Sequence, residues 1–361
     1  MPEDGFSTGS HLPVAMTTTD VDNIQTTEED TMTSSSSHGA EFYFQCAVVV
    51  IGFVGAATNA LIVYAMIASD QHKKHLLIFH QNACDLCSCL LLVITYTLKL
   101  CNIRLTGALG YWLCMILFSE NLLWCSLDAS VINLLSVTVD RYLKVVHPTL
   151  TKKLLRKWVI YSILAFTWIA SIVYNMAVVF STSCVIDGMC YPSMFWKSGA
   201  AEMFHAVWYF VSFFIVVVLV FVLCYWRILV VIRRQASVMA GHSGPGPSTA
   251  VQAHSHHIQF NVIKTMIIVS AFYVVAWMPI RVYFTMQIIN KNVAYIASVF
   301  YVTTFVAFLY VCANPFIYAT KFDPVKRILV GLNPCKKSQK AGGNIDASGP
   351  RRVHSAHTYN L

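Results

Sequence analysis

The chain has 361 residues, of which 57% are hydrophobic and only 12% are charged. Soluble globular proteins carry charge on about a quarter of their residues, so this composition excludes an ordinary soluble protein and indicates a membrane protein. Because the Lys and Arg residues lie between long apolar segments, we interpret the net charge of +8 as a signal of membrane topology. We predict no nucleic-acid partner.

Seven apolar segments follow one another along the chain, and each is long enough to cross a lipid bilayer. Fewer spans would require some of these unbroken apolar segments to be buried helices of a soluble fold. We therefore predict an all-α membrane protein, built as a seven-transmembrane helix bundle. The predicted spans are Phe44–Ile67, Leu76–Leu98, Trp112–Tyr142, Trp158–Phe180, Ala201–Ile232, Val262–Ile289 and Ala294–Tyr318.

Charge predicts the orientation of these spans. The first 45 residues contain eight acidic residues and no Lys or Arg, whereas basic residues follow the first, third, fifth and seventh spans. The positive-inside rule then predicts a multi-pass protein with an extracellular N-terminus and a cytoplasmic C-terminus. Polar composition predicts a disordered extracellular tail at residues 1–42 and a disordered cytoplasmic tail at residues 333–361, around a membrane domain at residues 43–332.

Polar residues and prolines interrupt several predicted spans. Asp85 lies near the middle of the second span, where a carboxylate costs roughly 2.5–3.5 kcal/mol, so we expect it to have a functional partner. Pro279 removes a backbone hydrogen bond from the sixth span and is expected to bend it. The other interruptions are Asp140, Arg141 and Tyr142 in the third span, Trp277 in the sixth, and Asn314, Pro315 and Tyr318 in the seventh.

Taken together and in order, "DRY" in the third span, "WMP" in the sixth and "NPFIY" in the seventh resemble the rhodopsin-like G-protein-coupled receptors. The resemblance covers about Phe44 to Leu332. It implies a receptor of the plasma membrane that binds an extracellular ligand and activates a heterotrimeric G protein, with an arrestin as a further partner. A transporter or channel is the alternative, but no internal repeat supports it, and no catalytic cluster predicts an enzyme.

The resemblance also implies roles for individual residues. Asp140 would hold Arg141 at rest, at the cytoplasmic end of the third span, until the sixth span moves outward. Trp277 would respond to ligand binding. Tyr225 and Tyr318 would meet near Arg141 in the active state.

A sodium ion or water molecules are implied at Asp85, Ser130 and Asn314 by the same resemblance. Tyr310 and Val311 stand where the family usually has small polar residues beside this ion. We therefore expect a functional Asp85 with a weak or absent sodium ion, and no other cofactor or metal.

After the seventh span, "KFDPVKRIL" alternates basic and apolar residues, which predicts a short cytoplasmic helix on the membrane surface. Cys335, just beyond it, is a predicted palmitoylation site.

The segment "TSCVIDGMCY" places Asp187 and Gly188 between two runs that favour strands, which predicts a tight extracellular β-hairpin. In that register Val185 faces Cys190 and Cys184 faces Tyr191. Alternation then directs Cys184 and Cys190 to opposite faces, so they should not bridge each other.

One cysteine of the hairpin is thus free to join the third span, and the family resemblance implies a Cys114–Cys190 disulfide. Cys114 lies further from Arg141 than the family usually has it. A Cys101–Cys184 bridge is a second expectation.

Charged and aromatic residues in the outer half of the bundle predict the ligand site. Glu120, Trp124 and Asp128 share one helical stripe of the third span, and Arg281 lies one turn above Trp277. The same vestibule is expected to include Lys99, His205, Tyr209, Phe284, Phe300 and Thr304. This set resembles the architecture of peptide receptors, although Asp128 and Arg281 could instead neutralise each other.

Two ligand classes are disfavoured by the residues that are missing. The seventh span has no Lys that could form a retinal Schiff base, and Leu123 stands where a monoamine receptor would have Asp.

Overall fold

A computed structural model describes residues 27–240, 247–291 and 295–321. Within these ranges the chain forms α-helices, two π-helical turns and one two-stranded hairpin. The helices are α1 (Thr27–Ala68), α2 (Leu76–Leu100), α3 (Gly107–Leu113), α4 (Asn121–Val146), α5 (Pro148–Leu154), α6 (Lys157–Thr182), α7 (Gly199–Phe210), α8 (Val216–Ala240), α9 (Pro247–Ile289) and α10 (Ala297–Lys321), and the strands are β1 (Cys184–Ile186) and β2 (Met189–Tyr191). The segment after Lys321, with the predicted surface helix and Cys335, lies outside the described residues.

Seven segments of the described chain are long and apolar enough to cross a membrane, and each overlaps one predicted span. They are Gly39–Ala68, Leu76–Leu100, Gly107–Val146, Lys157–Thr182, Gly199–Gln235, Ile263–Ile289 and Ala297–Ile317. Helix α1 begins at Thr27, so the predicted boundary near residue 42 does not coincide with a change of secondary structure.

The bundle exposes large apolar side chains and buries polar ones. Phe53, Phe166 and Val275 on its outside are 60%, 62% and 67% exposed, whereas Asp85 and Asn133 inside it are fully buried. Water would not favour such a surface, since exposed apolar patches of this extent require a covering partner. Lipid is that partner in a seven-helix membrane bundle.

Helix α4 occupies the centre of the bundle, in contact with α2, α6, α8 and α9. Helix α1 packs closely against α2 and α10 at Gly55. A Cβ there would lie 2.6 Å from Cys89 Sγ and 2.8 Å from Cys312 Sγ, so the close approach requires glycine. One turn later, Asn59 donates a hydrogen bond to the Val311 carbonyl at 3.1 Å. The polar residue of the first span therefore fixes it to the seventh.

The third span is not one continuous α-helix. Helix α3 continues into a π-helical turn at Cys114–Phe118, and Glu120 then adopts a left-handed conformation with φ of 59° before α4 begins. The fifth span has a second π-helical turn at Val211–Ile215, between α7 and α8. Both irregularities of the third span precede Trp124, and the Trp124 N–H still bonds to the Glu120 carbonyl at 2.8 Å, one helical turn earlier.

Strands β1 and β2 form the predicted hairpin, and its register is confirmed: Cys184 pairs with Tyr191 and Val185 with Cys190. Asp187 and Gly188 both have positive φ, 51° and 78°, as a two-residue hairpin turn requires. The end of the bundle that carries β1 and β2 is called the hairpin end below.

The Cys114–Cys190 disulfide is present, with Cα atoms 5.4 Å apart. It joins β2 to the π-helical turn of the third span. The expected second bridge is wrong, because Cys101 and Cys184 are both free thiols.

Cys114→Ser and Cys190→Ser are each expected to lower cell-surface expression by a similar factor, because both break the same bond. Loss of a native disulfide removes about 2–5 kcal/mol of stability in small domains. Antibody labelling of an N-terminally tagged chain on intact cells measures the effect, with Cys184→Ser as the control. Unequal losses for the two variants, or an equal loss for the control, would contradict a single structural bridge.

Candidate functional site

Four side chains from four helices form a buried charge cluster, defined here as Asp128 in α4, Asn175 in α6, Tyr209 in α7 and Arg281 in α9. Tyr209 donates its hydroxyl proton to Asp128 Oδ1 at 2.8 Å, and Asn175 donates to Asp128 Oδ2 at 2.9 Å. Arg281 Nη2 donates to the Tyr209 hydroxyl at 3.2 Å. Asp128 is 1% exposed and Arg281 6%, so both charges are held away from solvent.

No direct ion pair joins Asp128 to Arg281 among the described residues. The Tyr209 hydroxyl lies between them, accepting from the guanidinium and donating to the carboxylate. The two charges are therefore coupled through a tyrosine and do not neutralise each other by contact. Each oxygen of Asp128 therefore accepts one hydrogen bond within the cluster.

Arg281 is less well satisfied. Its guanidinium lies over the rings of Tyr209, Trp277 and Trp124, at 4.2, 4.8 and 5.7 Å from their centres. These rings stabilise a cation through their negative faces, but they accept no conventional hydrogen bond. Within the part of the chain that the structure describes, the buried Nε of Arg281 has no acceptor.

The cluster is in direct contact with Trp277, the residue expected to respond to ligand. Trp277 is 1% exposed, and its ring packs edge-on against Trp124 at 6.1 Å. Pro279 lies within α9 between Trp277 and Arg281. Arg281 and Pro279 therefore lie within one turn of Trp277 on the same helix.

Aromatic residues line the hairpin-end side of the cluster. The His205 ring stacks nearly parallel to Tyr209 and Tyr174, at 6.0 and 5.9 Å. Phe284, which is 49% exposed, meets Phe300 edge to face at 6.0 Å. Thr304, also predicted here, is buried, and its hydroxyl has no partner among the described residues.

Glu120 belongs to a separate group. Its carboxylate accepts from Lys99 Nζ at 2.5 Å and from the Tyr96 hydroxyl at 3.0 Å. Both partners of Glu120 belong to helix α2. Glu120 and Lys99 thus form an ion pair with each other.

Asp85 lies in a polar network at the centre of the bundle. Ser130 donates to its Oδ1 at 2.7 Å and Asn314 donates to its Oδ2 at 2.8 Å. Gln81, one turn earlier in α2, donates to Asp85 Oδ1 at 3.3 Å and to the Ser130 hydroxyl at 2.5 Å. The three residues predicted from the sequence are brought together, with Gln81 as a fourth member.

Asp140 and Arg141 lie at the end of α4 opposite the hairpin. Asp140 Oδ2 is 3.5 Å from Arg141 Nε and 2.8 Å from Lys144 Nζ, so one carboxylate holds two cations. Burial, followed by the positive charges of Arg141 and Lys144, lowers the pKa of His75 to about 4. His75 is therefore neutral at physiological pH and adds no third positive charge.

Tyr225 links three helices near this end. Its hydroxyl lies 3.0 Å from the Thr138 hydroxyl in α4 and 3.0 Å from the Ser270 hydroxyl in α9. These bonds hold α9 against α4. Nearby, the Tyr142 hydroxyl lies 3.2 Å from His147 Nε2, and the side chain of Tyr318 lies outside the described residues.

Comparison with known proteins agrees with this architecture. The family described as "7 transmembrane receptor (rhodopsin family)" matches residues 25–318. The chain belongs to the rhodopsin family.

Individual relatives of the receptor are distant. Mouse G-protein coupled receptor 15 is 27% identical over 232 residues, which are 62% of this chain and 61% of that protein. Rat somatostatin receptor type 4 is 24% identical over 307 residues, 83% of this chain and 75% of that protein. Lysophosphatidic acid receptor 1-A of Xenopus laevis is 24% identical over 243 residues, 67% of this chain and 63% of that protein.

Family membership makes the chain a multi-pass signalling receptor of the plasma membrane and not an enzyme. The predictions of the receptor class and of the seven-helix fold are therefore confirmed. The predicted alternative of a transporter or channel is not supported.

Several residues of the receptor that complete these sites were missed from the sequence. Asn175 and Gln81 are amides within apolar spans, and such residues usually find a partner inside the bundle. Lys144 is four residues after Asp140, a spacing that brings opposite charges together on a helix. Each of these signals was available, but only the structure shows which partner each residue meets.

Proposed function

We propose that the receptor binds an extracellular peptide through an acidic group that meets Arg281, and that it then activates a heterotrimeric G protein through Arg141. In this proposal the hairpin end faces the outside of the cell and the Arg141 end faces the cytosol, as the distribution of basic residues predicts. An arrestin would bind the same cytoplasmic end.

The observation that carries the ligand proposal is the unequal satisfaction of the two buried charges. Asp128 accepts from Tyr209 and Asn175 on both oxygens, whereas Arg281 Nε has no acceptor within the described residues. A buried, unsatisfied donor on a cation is costly, and an anionic oxygen is its best partner because charge-assisted bonds are the strong ones. A carboxylate of the ligand would supply that oxygen.

A peptide suits the rest of the hairpin end better than a small amine does. Tyr295 and Phe284 both pack against Phe300 there, and aromatic residues are enriched where proteins bind peptides and proteins. One relative is a somatostatin receptor, named for a peptide. Another is named for lysophosphatidic acid, an anionic lipid that the same arginine would also accept, so the experiment includes it.

The coupling proposal rests on Asp140, which is 2% exposed and holds Arg141 and Lys144 together. Thr138, Tyr225 and Ser270 join α4, α8 and α9 just inside this end. Movement of α9 would break the Tyr225–Ser270 bond and open the space beside Arg141. A G protein would use that space.

A paired peptide screen tests the proposal. Cells that express the full chain are exposed to peptides synthesised in matched forms, with free acidic groups or with the same groups amidated, and several G-protein classes are read out. Active peptides are expected to be at least about tenfold weaker as amides, because amidation removes the charge-assisted bond to Arg281. A loss of about 1.4 kcal/mol corresponds to a factor of ten in affinity. Cells without the receptor are the control.

Two outcomes would count against the peptide proposal. Activation by lysophosphatidic acid and by no peptide of the screen would replace the peptide with an anionic lipid as the ligand class. Activation by a peptide whose acidic and amidated forms are equally potent would remove the acidic group from the recognition of Arg281.

A further inference from the structure

A continuous chain of hydrogen bonds runs from the fourth span to Asp85. Trp168 Nε1 is 3.0 Å from His80 Nε2, and His80 Nδ1 is 3.1 Å from Asn133 Oδ1. Asn133 Nδ2 is 2.8 Å from Gln81 Oε1. Gln81 Nε2 then reaches Asp85 Oδ1 at 3.3 Å.

The direction of donation along this chain is fixed at its first member. An indole N–H can only donate, so a neutral His80 accepts at Nε2 and carries its proton on Nδ1. Asn133 must then accept from His80 through its oxygen. Its amino group also donates to the Leu77 carbonyl at 3.0 Å, which can only accept, and this second bond fixes the same orientation.

The orientation of Gln81 follows. Its oxygen accepts from Asn133, so its amino group points toward Asp85 and Ser130. Gln81 is fully buried, and no solvent competes for these bonds. Every donor in this series of hydrogen bonds, from Trp168 to Gln81, therefore points toward the carboxylate of Asp85.

The residues around Asp85 do not fit a sodium ion. A hard cation needs several oxygen atoms with lone pairs turned toward it, but Ser130, Gln81 and Asn314 all turn hydrogens toward the carboxylate. The Ser126 hydroxyl is 2.6 Å from the Ser88 hydroxyl, and Val311 offers only its backbone. Apart from the carboxylate itself, the buried oxygen of Asn314, which lacks a partner among the described residues, is the one side-chain oxygen of these three donors left for a cation.

We propose that the amide of Gln81 takes the place of a cation at Asp85, so that the resting receptor is stabilised by its own side chains and does not depend on sodium. The amino group supplies partial positive charge at the position where a sodium ion would otherwise balance the carboxylate. Asn133, His80 and Trp168 act as positioning residues, because they fix which way the Gln81 amide points. This inference requires no ligand and does not rest on the proposed function.

Thermal unfolding of the purified full-length receptor in lipid nanodiscs tests the proposal. The midpoint is measured in sodium chloride, potassium chloride and N-methylglucamine chloride at equal concentration. A bound ion stabilises the folded state by mass action, whereas the wild-type midpoints are expected to agree within about 1 °C. A saturable rise of several degrees with sodium over potassium, abolished by Asp85→Asn, would overturn the proposal.

Two substitutions at Gln81 make the test specific. Gln81→Glu replaces the donor with a second carboxylate beside Asp85, so its midpoint is expected to fall in N-methylglucamine and to recover by several degrees in sodium. Gln81→Leu removes the donor and is expected to lower the midpoint equally in all three salts. Asn82→Leu is the matched control, because Asn82 is also fully buried but its amide donates to the Ile78 carbonyl at 2.8 Å and not to Asp85. Its midpoint is expected to fall by less than that of Gln81→Leu.

Two results for the Gln81 variants would contradict the proposal. If Gln81→Leu unfolds at the wild-type midpoint, Gln81 does not stabilise Asp85. If Gln81→Glu is stable and responds to no cation, the position beside Asp85 does not carry the positive charge that the proposal assigns to it.

Discussion

Replacing Arg141 with alanine is expected to abolish agonist-driven G-protein activation while cell-surface expression is retained. Arg141 is 14% exposed and its main polar contact is the adjacent carboxylate of Asp140, so its loss leaves the core of the bundle intact. A guanidinium presents several donors in a rigid fork, which alanine cannot replace. G-protein activation in response to any agonist from the peptide screen measures the effect, normalised to surface expression.

Asp140→Asn is expected to act in the opposite direction and raise signalling without agonist. The change takes the carboxylate from both Arg141 and Lys144. Release of Arg141 alone, at about 1 kcal/mol for one ion pair, shifts a two-state equilibrium roughly fivefold toward the active state. Lys144→Gln is the matched control, since it removes the second cation from Asp140 and leaves the carboxylate to Arg141 alone. Basal signalling of that variant is expected to stay level or fall.

Normal agonist-driven coupling by Arg141→Ala would refute the assignment of Arg141. Equal increases in basal signalling for Asp140→Asn and Lys144→Gln would show that loss of local charge pairing, and not release of Arg141, activates the receptor.

Arg281→Ala is expected to weaken agonist affinity by about 2–5 kcal/mol, because a desolvated charge-assisted bond to the ligand is lost. This corresponds to roughly 30-fold to several thousandfold in the dissociation constant. Asp128→Asn is expected to matter much less, since an amide oxygen can still accept from Tyr209. Competition binding on membranes measures both variants.

Tyr209→Phe separates the ligand role of Arg281 from its structural role. It removes the hydroxyl that links the guanidinium to Asp128 but keeps the ring beneath the cation. If Arg281 serves the ligand, affinity should fall by less than about tenfold. If the cluster is only structural, Arg281→Ala should leave affinity unchanged but reduce expression, and exchanging the charges at residues 128 and 281 should restore expression.

Much of the fold could be predicted because the signals are local. The length of an apolar run determines whether a helix can cross a bilayer, and each predicted span overlaps a helix of the structure. The hairpin register followed from Asp187 and Gly188, since a two-residue turn leaves one way to pair the strands. The Cys114–Cys190 bridge came from the family resemblance and from that register.

The candidate site was only partly predictable because its contacts join distant segments. Asp128 and Arg281 were identified as charged residues within apolar spans. The position of Tyr209 between them depends on how α4, α7 and α9 pack. Gln81 was visible only as a departure from the family's usual Leu-Ala before Asp85. Its role depends on Asn133, whose own orientation is fixed from the fourth span.

The ion pair between Glu120 and Lys99 was not predictable for a related reason. It depends on the break that precedes α4, and no single residue type before Asn121 signals that break. The long separation between Cys114 and Arg141 indicated that the third span contains extra residues. It did not indicate where they lie, at the π-helical turn at Cys114–Phe118 and the left-handed Glu120.

That irregular turn has a consequence for the rotational phase of the third span. Each residue added to an α-helix rotates everything beyond it by about 100°, so extra residues in a regular helix would have turned either Cys114 away from Cys190 or Asp128 away from Tyr209. The wide turn and the left-handed residue absorb the extra length at one place. The outer part of the third span can therefore change its length and sequence while the inner part keeps Asp128, Ser130 and Arg141 in phase with their partners.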